Sequence, residues 1–441
     1  MRRGEACHDR RIESWRPRAA DSPPQTRRPC AAKPINVTVS HRRPIPLTLA
    51  GVLLVATLWL IAALIVGAAP GAAASPSVDV GATQLLDQQL SAYATTAGPF
   101  SSGVWNSPNQ VCWACNEGGP ATAAATSWLV GGSGDAADLG WAEATVDHVI
   151  ATEQLANGSY QADAGSSPDI TTMFWGVEMG TTYLELEPTL SASERSRWQQ
   201  SLSAAAGYLI AHGDPTWYTN GNVDLGEAEF FYLTYRATGD PAFLSAYNTT
   251  WNTALRPDQR RWPGAGLVVT RTPTASDDSD GAGYLAEIGP GGTGLDPEYA
   301  ELQLDEASRL YLLSGDRRAL QLANLLVNQL LPRVTSQWQL DTSGGTRHTQ
   351  PDRYVYFLTS AFAVLSQHGG RADLAGDVAP LLATTTSRYN ETDNLYSQVF
   401  RRALGDDIAT IALSSLPGTP LAANGYAPPS LGGTSLGVPA S

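Results

Sequence analysis

Pairs of amphipathic helical segments recur through the chain, joined alternately by a short turn and by a long loop rich in Gly, Asn, Asp and aromatic residues. Such a rhythm puts every short turn at one end of the hairpins and every long loop at the other. The variable chemistry therefore collects on one face.

The pairs read as Ala121–Val130 with Ala136–Glu153, Thr171–Leu186 with Ala192–His212, and Leu225–Thr238 with Pro241–Leu255. Two more are Glu298–Ser314 with Arg317–Leu331, and Arg353–Gln367 with Ala372–Thr386. Gly-Asp turns at 134–135, 239–240 and 315–316 split three of them, and Asp224, Asp296 and Asp352 each open a helix after a long loop. Apolar residues fall at helical spacing, as in Leu225, Ala228, Phe231, Tyr232 and Tyr235, or Tyr299, Leu302, Ala307, Leu310 and Leu313. Strand-like alternation is confined to Gly266–Thr270 and Ser336–Leu340. The expected fold class is all-α, with residues 79–413 as a single domain in which the flanks 79–96 and 396–413 supply the remaining helices.

Residues 1–46 form a basic N-terminal region, followed by an unbroken apolar run from Leu47 to Ala69 and the small-residue stretch Ala72-Ala73-Ala74. Segment 47–74 is expected to be a signal peptide cleaved after Ala74, or else an uncleaved membrane anchor with its basic side inside. A basic region this long also fits a start further down, at Val37 or Val39. Either way the domain is expected outside the cytoplasmic membrane, which it meets only through this segment. The first 46 residues hold 11 of the 28 basic and four of the 42 acidic side chains, leaving 17 against 38 in the rest. A surface that acidic repels nucleic acid. Residues 414–441, rich in Pro, Gly and Ser, read as a disordered tail.

Cys112 and Cys115 are the only cysteines beyond the export segment. Their spacing suits a short-loop disulfide, half of a zinc site or a redox pair; no second Cys-x-x-Cys or nearby His completes a zinc site. A structural disulfide is the expectation, with neither metal nor cofactor.

Four long loops carry aromatics beside amides and carboxylates: 157–163, 217–224, 262–299 and 338–348. A pyranose offers an apolar face for stacking and hydroxyls for such partners, so a glycan is the expected ligand. Trp217, Tyr218, Asn220, Asn222, Tyr284, Tyr299, Arg347 and His348 are the candidate binding residues. The bland alternative is that these loops are polar and anchored by inward-packed aromatics. Asp224 and Glu227 stand at capping-box spacing, and Asp296 followed by Pro297 reads as an N-cap with proline at the first helical position. The insertion 261–297 contains Asp277-Asp-Ser-Asp280-Gly, which lacks the spacing of a calcium loop and reads as a solvated acidic lid. Glu287 lies on the same insertion, where no helix cap explains it.

The hairpin rhythm, the Gly-Asp turns and Tyr284-Leu-Ala-Glu-Ile-Gly-Pro followed by Asp296-Pro-Glu-Tyr299 resemble the six-hairpin glycosidase-like superfamily. That resemblance implies an (α/α)6-type toroid with its long loops on one face, and a glycoside hydrolase or polysaccharide lyase. For a hydrolase the paired carboxylates would come from Glu287, Glu227, Asp224, Asp296 and Glu298. A lyase would use Tyr299 or His348 as base with Asn222 and Arg347 on a uronate carboxylate. A cell-surface protein that binds glycan without cleaving it would keep the same rim. Gln154–Tyr160 also looks like the Gln-x-x-x-Gly-x-Trp repeat of triterpene cyclases, but nothing else in the chain supports that chemistry.

Overall fold

Helices α1 Gly118–Val130, α3 Pro168–Leu186, α5 Gly221–Thr238, α7 Pro297–Ser314 and α9 Leu358–His368 pack side by side in chain order. Each is backed by the outer helix that follows it: α2 Ala136–Glu153, α4 Ala192–His212, α6 Pro241–Thr250, α8 Arg317–Leu330 and α10 Val378–Asn390. This is a computed structural model. It describes residues 81–90 except 83 and 89, 118–130, 136–161, 167–212, 220–252, 266–275, 279–390 except 352 and 356, and 405–414 except 406. Segment 47–74, Cys112, Cys115 and the tail after 414 lie outside the described residues. No helix among the described residues is long and apolar enough to cross a membrane.

The row closes on itself. Residues 407–414 are helical and run beside α9, where the Ser360 N–H donates to Asp407 Oδ1 at 2.7 Å and Gln367 Nε2 to Ser414 Oγ at 3.0 Å. Leu413 clusters with Leu312 of α7 and Val364 of α9, and Leu129 of α1 packs on that cluster. The last helix thus bridges α9 to α1, and residues 84–88 join α1 through Ser127 and Asp87. The architecture is an all-α toroid of helical hairpins, as the sequence implies.

The short turns follow from two residues each. Gly239 and Gly315 end α5 and α7 in the left-handed region, at φ 72° and 67°, which only glycine adopts without strain. The aspartate that follows caps the outer helix: Asp240 accepts from the Ala242 N–H, and Asp316 from the Arg318 N–H. Asp316 also binds Tyr247 and the Arg318 guanidinium, which lies over the rings of Tyr247 and Trp251. The Gly-Asp step at 134–135 lies outside the described residues.

Three expectations need correction. Asp224 does not cap α5: the helix begins at Gly221 after Asn220, whose side chain makes no capping bond. Its first-turn donors are met from the insertion instead, the Gly221 N–H by Ala286 O at 3.2 Å and the Asn222 N–H by Glu287 Oε1 at 3.1 Å. Remote acceptors let the helix start four residues early. Second, Arg353 and Tyr354 form no helix; they pair as a strand with Gln339 and Leu340, and α9 starts at Leu358, where Glu301 Oε1 accepts the Phe357 and Leu358 N–H groups. Third, the described part of the insertion is two antiparallel hairpins rather than a loose lid. Strands β1 Leu267–Arg271 and β2 Ala282–Leu285 pair along α8, and β3 Glu287–Gly289 pairs with β4 Gly292–Gly294. Asp280 closes the first by accepting the Thr274 and Ala275 N–H groups, and Asn328 of α8 donates to Ser279 O and Gly281 O.

Candidate functional site

Three separated stretches meet at the head of α5. A Cβ on Gly221 would stand 2.2 Å from Leu285 Cβ, so only glycine lets the insertion approach this closely. The approach seats Glu287 against the start of the helix, where it accepts from the Asn222 N–H at 3.1 Å and from Gln303 Nε2 of α7 at 2.8 Å. Gln303 is itself fixed by Leu285, accepting its N–H and donating to its carbonyl, both at 3.1 Å. Asn220 adds a contact at 3.4 Å from the Ile288 N–H.

Glu287 is 0% exposed, and its Oε2 has no hydrogen-bond partner. Burial pushes its carboxyl up to about 8; the Asn222 and Gln303 donors and the nearby Arg347 oppose that, and Asp296 adds to it. Desolvation wins over a helix N-terminus and a hydrogen bond, so the group carries a proton at neutrality.

Asp296 has the opposite fate nine residues later. It caps α7, with Oδ1 accepting from the Tyr299 N–H and from His348 Nδ1–H at 2.9 Å. Its Oδ2 accepts from the Arg347 and His348 N–H groups at 2.7 and 2.9 Å. Burial raises this carboxyl too, but four donors outweigh it and hold the group below the usual range, with the His348 side chain the largest of them. Asp296 is an ionised clamp that fastens the 341–350 loop to α7.

That clamp assembles the rest of the rim. Tyr299 and His348 have ring centroids 5.3 Å apart, and the Arg347 guanidinium sits 5.2 Å over the Tyr299 ring while its Nε donates to Ile288 O at 2.8 Å. Burial raises the Tyr299 hydroxyl, with Arg347 opposing and Glu287 adding to the rise. Glu298 Oε2 stands 3.4 Å from His348 Nδ1. Tyr284 is half-buried on β2, against the core.

The expected residues fall into three groups. Glu287, Asp296, Glu298, Tyr299, Arg347, His348, Asn220 and Asn222 converge through the contacts above. Asp224 and Glu227 are buried on the first turns of α5, beside this cluster along the helix. Trp217 and Tyr218 lie outside the described residues. The 154–160 loop exposes residues 155–157 and buries its end in the core: Gln154 and Tyr160 both bond Ser201 of α4, and Tyr160 packs edge-on to Trp175.

Two residues escaped the sequence reading, Gln303 and Glu306. Both are buried on α7, at 0% and 1% exposure, on a helix whose Asp305 and Arg309 are buried as well. An inner helix of a toroid is covered all round, so the amphipathic rule that assigns polar residues to solvent fails on it. The legible signal was the run Gln303, Asp305, Glu306, Arg309 inside a helix flanked by packed hairpins. Among the described residues no group of His, Cys, Asp and Glu is arranged to hold a metal ion.

No family model matches the chain, and no curated protein does. Among solved structures it is similar to the apo β-1,3-1,4-glucanase of Paenibacillus sp. X4, at 10% identity over 77% of this chain and 95% of that one, with a TM-score of 0.46. It is also similar to the glycoside hydrolase family 76 mannosidase Bt3792 of Bacteroides thetaiotaomicron VPI-5482, at 13% identity over 75% and 98%, TM-score 0.45. A third is the Streptomyces coelicolor A3 chondroitin AC lyase in complex with chondroitin sulphate, at 15% identity over 84% and 49%, TM-score 0.44.

Proposed function

We propose that the protein is an exported glycoside hydrolase in which Glu287 protonates the leaving oxygen of a glycan. The observation that carries this reading is a carboxyl 0% exposed, raised to about 8, with one oxygen unengaged at the head of an inner helix. A general acid needs its proton at working pH, and burial raises Glu287 accordingly, with the unpartnered Oε2 as the oxygen left for the glycosidic bond. The second carboxylate is Asp224 or Glu227 of α5, because Asp296 already accepts four hydrogen bonds and serves as the clamp. Asn220, Asn222, Tyr284, Tyr299, Arg347 and His348 are the sugar-binding residues among those described.

A second reading is favoured by one specific arrangement, the Tyr299–His348–Arg347 unit. In a lyase Tyr299 or His348 would take the proton beside a uronate carboxylate neutralised by Arg347 and Asn222. One experiment separates the two. The purified domain is screened on a glycan panel, and products are followed both as reducing ends and by ultraviolet absorbance. Reducing ends without absorbance, abolished in Glu287→Gln and retained in Tyr299→Phe, support hydrolysis. An unsaturated uronate, lost in Tyr299→Phe and retained in Glu287→Gln, overturns it in favour of the lyase. Binding without cleavage of any glycan overturns both. Export is tested by fractionating cells; full-length protein in the cytosol rejects it.

A further inference from the structure

Glu306 lies on the same face of α7 as Gln303, one turn further along, as Gly226 lies one turn beyond Asn222 on α5. Asn222 and Gln303 are the two residues that hold Glu287. A Cβ on Gly226 would stand 3.5 Å from Glu306 Oε1, which places that carboxyl against α5. Glu287 and Glu306 therefore lie along one interhelical seam, held at rungs about one 5 Å helical turn apart.

The two carboxyls differ in their support. Glu287 has two donors, whereas Glu306 is 1% exposed and its Oε2 has no hydrogen-bond partner. Glu229 of α5 and Asp305 of its own helix set negative charge beside it, Glu287 of β3 adds to this once it gives up its proton, and Arg309 is the cation that faces it. Arg309 is already committed, with Nε on Glu229 Oε1 at 2.8 Å and Nη1 at 3.8 Å from Asp305 and 3.9 Å from Glu178 of α3. Burial first, then the neighbouring acids, hold Glu306 well above the ordinary carboxyl value. A buried carboxylic acid that keeps its proton is a hydrogen-bond donor, and an unused buried donor is costly.

We propose that Glu306 is a positioning residue whose O–H donates, directly or through one water, to the Glu287 carboxylate formed when Glu287 gives up its proton. The inference rests on Glu287 as the proton donor. In the step, the Glu287 O–H bond breaks as its proton bonds to the glycosidic oxygen, and the C1–O bond breaks as water adds at C1. The water's proton passes to the α5 carboxylate. Glu306 exchanges nothing; it stabilises the negative charge left on Glu287, as preorganised donors do where charge develops.

Two near-isosteric variants test this, since Glu306→Gln keeps a donor and Glu306→Met removes it. Glu287 is titrated by carbon-13 carboxyl NMR, its resonance being the one missing in Glu287→Gln, so this arm needs no substrate. The expected result is a Glu287 midpoint close to wild type in Glu306→Gln and about one unit higher in Glu306→Met. On an active glycan the Met variant should lose about 10- to 100-fold in kcat, the size expected for a lost hydrogen bond to a charged group, with the alkaline limb moved up and the Gln variant within a few-fold of wild type. An unmoved midpoint in Glu306→Met overturns the proposal, as does a Gln variant that titrates like the Met variant. If Glu287→Gln retains full activity, the hydrolase reading fails, and the NMR arm still decides whether Glu306 supports Glu287.

Discussion

Both ends of the hairpins use acids to satisfy helix N-termini, and they do so by different means. At the short-turn end Asp240 and Asp316 cap α6 and α8 from within the sequence of each helix, and a glycine two residues before the helix starts sets the turn. At the long-loop end α7 has a local cap in Asp296, but α5 is served by Glu287 from 65 residues away. The local cap Asp296 spends its oxygens on four donors and stays ionised. The remote one is dehydrated, keeps its proton and retains a free oxygen. An acid becomes available for chemistry where the fold, rather than the local chain, decides its surroundings.

The sharpest way to break that contrast is to exchange the acids for neutral isosteres and read activity. Glu287→Gln should reduce turnover about 10²- to 10⁴-fold, the range for loss of a general acid, while dichroism and glycan binding stay near wild type. Kinetics on the panel substrate, with binding measured by calorimetry, checks both halves. Equal losses of binding and turnover would show that Glu287 holds the loop instead of the proton.

At the turn end the largest effect should be on stability. Asp316→Ala strands the Arg318 guanidinium, which is 7% exposed and pairs with Asp316 at 2.7 Å, and it removes the acceptor of the Tyr247 hydroxyl. Breaking one side of a buried pair costs about 3–5 kcal/mol. Urea unfolding should register that loss, with catalytic constants unchanged for the molecules that remain folded.

The two ends also predict opposite pH dependences. Glu287 has a folded value raised from 4.5 to about 8, so its contribution to stability is full below about 4.5 and is lost as pH rises through about 8. Asp296 is depressed, so its contribution is present above the ordinary value of 3.8 and is lost as pH falls through its folded value. Thermal unfolding of wild type and Glu287→Gln across this range should therefore show the variant gaining relative stability toward alkaline pH. A constant difference between the two would mean Glu287 is solvated.

What the sequence discloses follows the same division. The hairpins, the Gly-Asp turns and the Asp296-Pro297 cap were legible because each depends on neighbours within a few residues. Asp224 misled for the same reason, since a capping-box spacing is only a local signal and the insertion supplied the acceptors from elsewhere. Gln303 and Glu306 were missed because burial of a polar residue on an inner helix is a property of the closed ring, which the polar run on that helix signals only once the ring is known. Glu287 was found by elimination, as an acid on the insertion with no local explanation, and its raised value comes from packing that no spacing encodes.

The smallest effect is the cleanest control. Asp240 is exposed, accepts one hydrogen bond from the Ala242 N–H at 2.9 Å, and begins a helix of ten residues on the outer layer. Removing such a cap costs about 1 kcal/mol, because one first-turn donor returns to water and not to an apolar interior. Asp240→Ala should lower stability by that amount in urea, leave the alkaline limb of activity where it is, and leave the Glu287 resonance untouched. Asp240→Asn should recover most of the loss, since its amide oxygen accepts the same N–H. If Asp240→Ala instead shifts the Glu287 titration, the two ends are coupled through α5, and the division between local caps and a remote acid does not hold.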